Sequence, residues 1–309
     1  MTKAFSNLLF LIATAIWGFA FVAQKAASDI PAFTLGALRS ILAAIFLLAM
    51  IPLTDRATKN GRSLFTDKKR LDISRDELIG GSILGVILVI ASACQQIGIE
   101  TTEAGKTAFI TGLYVVIVPI VSSFFGKKPH LNAIISVPVA VIGFYFLCIK
   151  PGSSLETSDL LILMCAFIFT FHIITVDHYS PKCDGVRLSL VQFTVATILN
   201  GAVGLVFEQR VDIGVISTNL LSILYLGMLS SGIAYTLQIL AQRNADPTVS
   251  SIFLSLESVF GVVGAAVLLG EQLEMREYIG CVIVFIAILI SQIDFIELIK
   301  RVKTKQKDN

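Results

Sequence analysis

Ten apolar stretches of membrane length run along this 309-residue chain, and they come in two sets. They fall at 7–24, 33–53, 79–97, 105–125 and 133–149, then at 160–177, 187–207, 219–241, 248–269 and 278–294. Runs of about 17–23 apolar residues match the hydrocarbon thickness of a bilayer when wound as α-helix. The stretch 109–126 reads FITGLYVVIVPIVSSFFG, and 253–270 reads FLSLESVFGVVGAAVLLG. Both begin on Phe and end on Gly, and a short polar turn and another apolar stretch follow each. With an odd number of spans per half, the second copy enters the membrane upside down. That arrangement is the signature of a carrier whose halves rock about a central site.

Composition agrees. Apolar residues make up 55% of the chain and charged residues 15%, against about 45–50% and about 25% in soluble domains. The net charge of +2 is too small to suggest a nucleic-acid partner. Cys94, Cys148, Cys165, Cys183 and Cys281 form no CxxC pair, and four lie inside apolar runs, so they read as small apolar fillers. The P-loop pattern GxxxxGK[ST] is absent, as are HExxH and GxSxG. The expectation is a protein that is not an enzyme and carries no cofactor or metal. The first run follows Lys3 without a good small-x-small cleavage site, so it reads as a retained span.

Orientation follows from the cations in the connections. If the N-terminus is cytoplasmic, 18 of the 24 Lys and Arg residues fall on inner segments and five on outer ones; Arg39 lies within the second span. Both termini are therefore expected inside. The basic loop 54–77 and the tail 299–309 read as solvated segments that fix topology.

A shift of 144 residues superposes the fourth and ninth stretches, placing Phe109 on Phe253 and Val115 on Val259. Shifts of 152–153 align the first two stretches with the sixth and seventh, bringing Trp17 onto Phe169 and Arg39 onto Gln192. The expected units are 1–150 and 151–298, of five spans each, with the basic tail beyond.

Several motifs carry a family resemblance: Ala15–Val22 (AIWGFAFV), Pro31 with Ala37–Arg39 (ALR), Thr101–Pro119 (TTEAGKTAFITGLYVVIVP) and Phe253–Leu273 (FLSLESVFGVVGAAVLLGEQL). On these residues the chain resembles the EamA-type family of the drug/metabolite transporter superfamily, over nearly its whole length. The resemblance implies ten helices with both termini cytoplasmic and a central cavity lined mainly by spans 1, 3, 4, 6, 8 and 9. It also implies alternating access that carries small metabolites, often outward. Members often have Glu-Pro in the ninth span where this chain has Glu257-Ser258, so the helix break that proline would impose is not expected here. Pro119 leaves a kink possible in the fourth span.

Glu257 is the sharpest candidate, about ten residues beyond Pro247 and so near mid-membrane. An acid at that depth costs roughly 2.5–3.5 kcal/mol on insertion scales. It can bind a cationic part of a substrate, couple a proton, or make a neutral helix-to-helix hydrogen bond. Arg39 lies near the outer end of its span, where its stem can reach the interface or its charge can meet acidic substrate groups. It is a candidate for coupling or gating alongside Glu257. Trp17, the one tryptophan, sits mid-span and fits a cavity wall better than an interfacial belt. Tyr114 falls one position from Glu257 in the superposition and can face the same cavity. Thr111, Ser255, Gln95 and His172 add polar groups as candidate substrate contacts, and Gln96 and Gln238 add further ones. Lys106 is expected to snorkel to the outer mouth. Gly81 and Gly85 make a GxxxG that reads as helix packing.

The reading is an all-α membrane protein of ten transmembrane helices, arranged as two inverted five-helix repeats, in the cytoplasmic (inner) membrane. Its function would be that of a secondary transporter of small metabolites such as amino acids or related compounds. Its partners would be a small-molecule substrate, the lipid bilayer and, if Glu257 titrates, protons; monomer and homodimer both stay open. The alternatives are a channel and a non-transporting membrane scaffold.

Overall fold

The computed structural model describes residues 3–58, 72–124, 131–148, 156–243 and 247–292. Their long helices form ten rods, the eighth preceded by a short helix, Ile213–Thr218. These are α1 (Lys3–Ala26), α2 (Ala32–Thr58), α3 (Arg75–Thr101), α4 (Ala104–Phe124) and α5 (Leu131–Cys148), then α6 (Thr157–Tyr179), α7 (Gly185–Phe207), α8 (Leu220–Gln242), α9 (Pro247–Gly264, prolonged by wide π turns over Ala265–Leu269) and α10 (Met275–Gln292). Seven of them, α1–α4 and α6–α8, are long and apolar enough to cross a membrane.

The rods outrun several of the apolar stretches because polar residues cap them. Ser74 accepts a bond from the Glu77 amide at 3.3 Å, and Glu77 accepts one from the Ser74 amide at 2.7 Å. This reciprocal box starts α3 before its first apolar run. Asp184 starts α7 by accepting from the amides of Val186 and Arg187 at 3.1 and 3.0 Å. At the far end of α9, Gly270 takes φ +68°, a left-handed conformation that glycine adopts without a Cβ penalty.

Two rods are irregular. α4 breaks at Leu113, where the amides of Leu113 and Val116 reach back three residues instead of four. The break lies six residues before Pro119, whose ring crowds the preceding turn and which has no amide to donate. α8 widens into π turns over Tyr225–Ala234. By contrast α9 runs unbroken through Glu257 and Ser258, as the missing proline allows.

The rods pack as α5 with α10, α2 with α7 and α8, α3 with α6 and α7, α1 with α8 and α9, and α4 with α6 and α9. Exchanging the first five rods with the last five maps these pairings onto one another. α5–α10, α2–α7 and α4–α9 map onto themselves, α3–α6 onto α8–α1, α3–α7 onto α8–α2, and α1–α9 onto α6–α4. The halves share their cores. One cluster joins Phe10, Ile110 and Val115 to Ile162, Leu254 and Val284, and a second joins Leu47 and Leu88 to Phe193 and Tyr235; Trp17 and Phe169 pack against both.

Large apolar side chains cover the outside, with Leu205 89% and Phe207 80% exposed, while Gln192, Ser189, Thr107 and Arg187 are fully buried. Such an apolar exterior suits hydrocarbon and not water. Glycines set the closest helix crossings. A Cβ on Gly18 of α1 would meet the backbone of Phe260 and Gly261 on α9, and one on Gly112 of α4 would meet the Ser258 hydroxyl. Gly81 and Gly85 face Val191, Val195 and the backbone of α7. The GxxxG face is thus a helix-packing surface, as its spacing suggests.

Candidate functional site

Residues of α1, α2, α3, α4, α6, α8 and α9 surround a cavity. The cavity has a volume of about 40 Å³. Six of the seven lining helices are those that the resemblance implies; α2 joins them through Arg39. Trp17, Arg39, Gln95, Thr111, Tyr114, His172 and Glu257 all line it, together with Phe169, Ser230, Tyr235 and Gln238. The side chain of Ser255 lies outside the described residues.

The α4 break places Tyr114. Its hydroxyl donates to Glu257 Oε2 at 2.8 Å and lies 3.2 Å from the Leu254 carbonyl oxygen, one turn earlier on α9. Next to this contact Ser258 donates to the Ala108 carbonyl at 3.0 Å. The serine that replaces the family's proline thus ties α9 to α4. Gln95 donates to Thr111 at 3.2 Å, fixing α3 to α4 inside the same wall.

On α8 the π turns present Ser230 and Ser231. Arg39 Nε donates to Ser231 Oγ at 3.0 Å and Nη2 to Ser230 Oγ at 3.2 Å. The guanidinium therefore turns into the bundle and not toward the interface, one of its two readings from the sequence; two buried hydroxyls offer it acceptors there. Trp17 Nε1 donates to the Ser230 carbonyl at 3.2 Å, and its ring meets Tyr235 edge-on at 4.8 Å. His172 packs edge-on against Phe169 and Tyr235. Among the described residues, its Nε2 and the Gln238 amide oxygen are buried without a hydrogen-bond partner.

Lys106 does not snorkel. It is 8% exposed, and its ammonium lies 2.9 and 3.0 Å from the two oxygens of fully buried Asp159 on α6. The buried carboxylate gives the ammonium a stronger partner than the interface would. Sequence reasoning missed Asp159 because it reads as an ordinary helix-start acid. It also missed two glutamates that bind amides across the halves. Glu208, beyond α7, accepts from the Phe33 and Thr34 amides at 2.8 and 2.7 Å, at the start of α2. Glu271, aimed by the turn at Gly270, accepts from Ala104 and Gly105 at 2.9 and 3.0 Å, at the start of α4. Helix N-termini favour such carboxylates. All three ties sit at the end where α2, α4 and α6 begin. At the opposite end Glu77 of α3 accepts from the Asp184 amide at 2.9 Å.

The model of the EamA-like transporter family matches residues 4–149 and again 157–292. The chain belongs to the EamA-like transporter family. Among its relatives is an uncharacterized transporter of Archaeoglobus fulgidus, 26% identical over 290 residues, which covers 93% of this chain and 86% of the relative. An uncharacterized transporter of Clostridium kluyveri is 22% identical over 262 residues, covering 81% and 82%. One solved crystal structure superposes with TM-score 0.67 at 14% identity, covering 94% of this chain and 97% of that one; at that identity the likeness concerns the fold. This EamA-family protein is a multi-pass membrane transporter, which implies a lipid environment and a small-molecule substrate. The two matched segments fall on α1–α5 and α6–α10.

Proposed function

We propose that this protein carries small metabolites, amino acids or related compounds among them, by alternating access between two inverted five-helix repeats. In this reading all ten rods cross the cytoplasmic membrane and both termini are cytoplasmic, as the cation distribution predicts. The halves correspond to 1–150 and 151–298. The exchange symmetry of the helix pairings supports two equivalent halves.

One observation carries the reading. The buried acid Glu257 and the inward-turned Arg39 line one cavity, between helices of both halves, inside the bundle. Ionisable groups at that depth are costly and are kept where they meet substrate or coupling ions. The cavity as described has room for little more than a few waters, and ties cross between the halves at both ends. Transport then consists of opening the ties at one end while the other stays closed. In this reading Glu257, with Tyr114 as its hydrogen-bond partner, binds a cationic substrate group or exchanges a proton during the cycle.

Purified protein in liposomes, given a panel of amino acids and related metabolites with and without a pH gradient, tests this. Saturable flux that exceeds the rate in empty vesicles supports the carrier. Discrete single-channel currents would replace it with a channel, and no flux for any compound would leave a scaffold.

A further inference from the structure

We propose that Arg39, Ser230 and Ser231 form an anion site in the membrane interior, built for the carboxylate of an organic ligand. This rests on reading the cavity as a ligand site, but not on whether the ligand is transported.

Arg39 offers five N–H donors. Two of them reach Ser231 and Ser230, and the other three have no partner among the described residues. The serines are 0% and 1% exposed. Each spends an oxygen lone pair on the guanidinium and keeps its own O–H, for which no acceptor is found among the described residues. No described carboxylate pairs with Arg39; Glu257, the acid lining the same cavity, is engaged by Tyr114. The result is a cation held in place, facing a cavity, with several donors aimed at nothing. A charge left in this state inside a bilayer is costly unless something of opposite sign arrives.

The chemistry of the arriving group follows from the donors. A planar guanidinium presents parallel N–H bonds that match the two oxygens of a carboxylate. The surrounding wall is aromatic and aliphatic, formed by Trp17, Phe21, Phe169 and Leu254. It suits the carbon body of an organic acid and gains nothing from a bare halide. The π turns of α8 matter because they carry both hydroxyls; such stretches are frequent at functional sites.

Trp17 is the protein's one tryptophan, and its indole is bonded to the Ser230 carbonyl. Its emission therefore reports on the site directly. Purified protein is titrated with sodium butyrate at constant ionic strength, in parallel with butyramide and with sodium chloride. The expected result is a saturable change with butyrate and a response at least about tenfold weaker to the amide and to chloride, since a hydrogen-bonded charge is lost or the wall is left unfilled. Arg39→Gln should abolish the butyrate response. Arg39→Lys should keep a weakened one, as a point charge without the fork.

A flat butyrate curve overturns the proposal. So does an amide or chloride response equal to that of butyrate, or an unchanged curve in Arg39→Gln. If Arg39→Gln does not fold, the paired change Ser230→Ala with Ser231→Ala should weaken butyrate by about tenfold, and the acid-against-amide comparison on the native protein needs no variant. An intact butyrate titration without flux for any compound supports the site and rejects the carrier. Flux without any butyrate response does the reverse.

Discussion

Tyr114 and Glu257 lie one residue apart when the two halves of the sequence are superposed, and in the fold they touch, hydroxyl to carboxylate, at 2.8 Å. The contact joins the broken rod α4 to the unbroken rod α9. Equivalent helices of the two halves thus meet at the cavity, each bringing a different polar group to it. One half supplies a donor and the other an ionisable acceptor.

Glu257→Gln keeps the shape and removes the charge. The expected outcome is folded protein with flux that is slowed or no longer responds to a pH gradient, measured in liposomes. Tyr114→Phe should leave Glu257 without its hydroxyl donor and produce a smaller defect. Flux in Glu257→Gln that is unchanged and still pH-dependent would falsify the assigned role.

The Lys106–Asp159 pair is almost fully buried. Removing one member strands the other, so Lys106→Met should cost about 3–5 kcal/mol. Replacing both, as Lys106→Met with Asp159→Leu, should recover much of that loss, because two apolar groups need no partner. Thermal unfolding in detergent distinguishes the variants. Equal loss in the single and double variants would show that the pair is not the cause.

Glu208 and Glu271 each bind two amides at the start of a helix in the other half. Alanine at either position should lower stability by about 1–2 kcal/mol, in the range of lost helix caps. Gly270→Val should weaken the Glu271 tie as well, since valine resists the φ of +68° that turns the chain there. Unfolding by heat or by denaturant checks both. Glu271→Ala without effect would contradict this assignment.

Gly18 and Gly81 should respond differently to alanine. At Gly18 an added methyl meets the backbone of α9, which cannot move aside without parting the helices. At Gly81 it meets the Cβ of Val191, which side-chain rotation does not move, but less closely than at Gly18, and the nearest backbone atom, the Leu188 carbonyl oxygen, is 3.0 Å away. Gly18→Ala is therefore expected to be the more damaging, by about 1 kcal/mol or more. Monodispersity and melting temperature in detergent would show it.

Much of the architecture was legible in the chain because a bilayer imposes a length rule. Helix positions followed from apolar stretches, and the described ends moved outward where Ser74 and Asp184 supply caps. Seven of the residues singled out inside those stretches, Trp17, Arg39, Gln95, Thr111, Tyr114, His172 and Glu257, gather at one cavity, because burying a polar group in lipid is costly wherever it has no partner to meet. Ser258 shows where reading stops. A missing proline was visible, but its bond to Ala108 was not, since that contact spans 150 residues.

By itself the sequence determined the helices, the repetition and the family, because hydrophobic length and pattern are local properties. Only the tertiary structure decided which way the charged side chains turn. Arg39 and Lys106 both have stems long enough for the interface, yet each finds partners inside: the serines of the wide turns in α8 and the carboxylate at the start of α6. Choosing between water and an interior partner depends on what neighbouring helices bring within 3 Å, and no local stretch of chain contains that information.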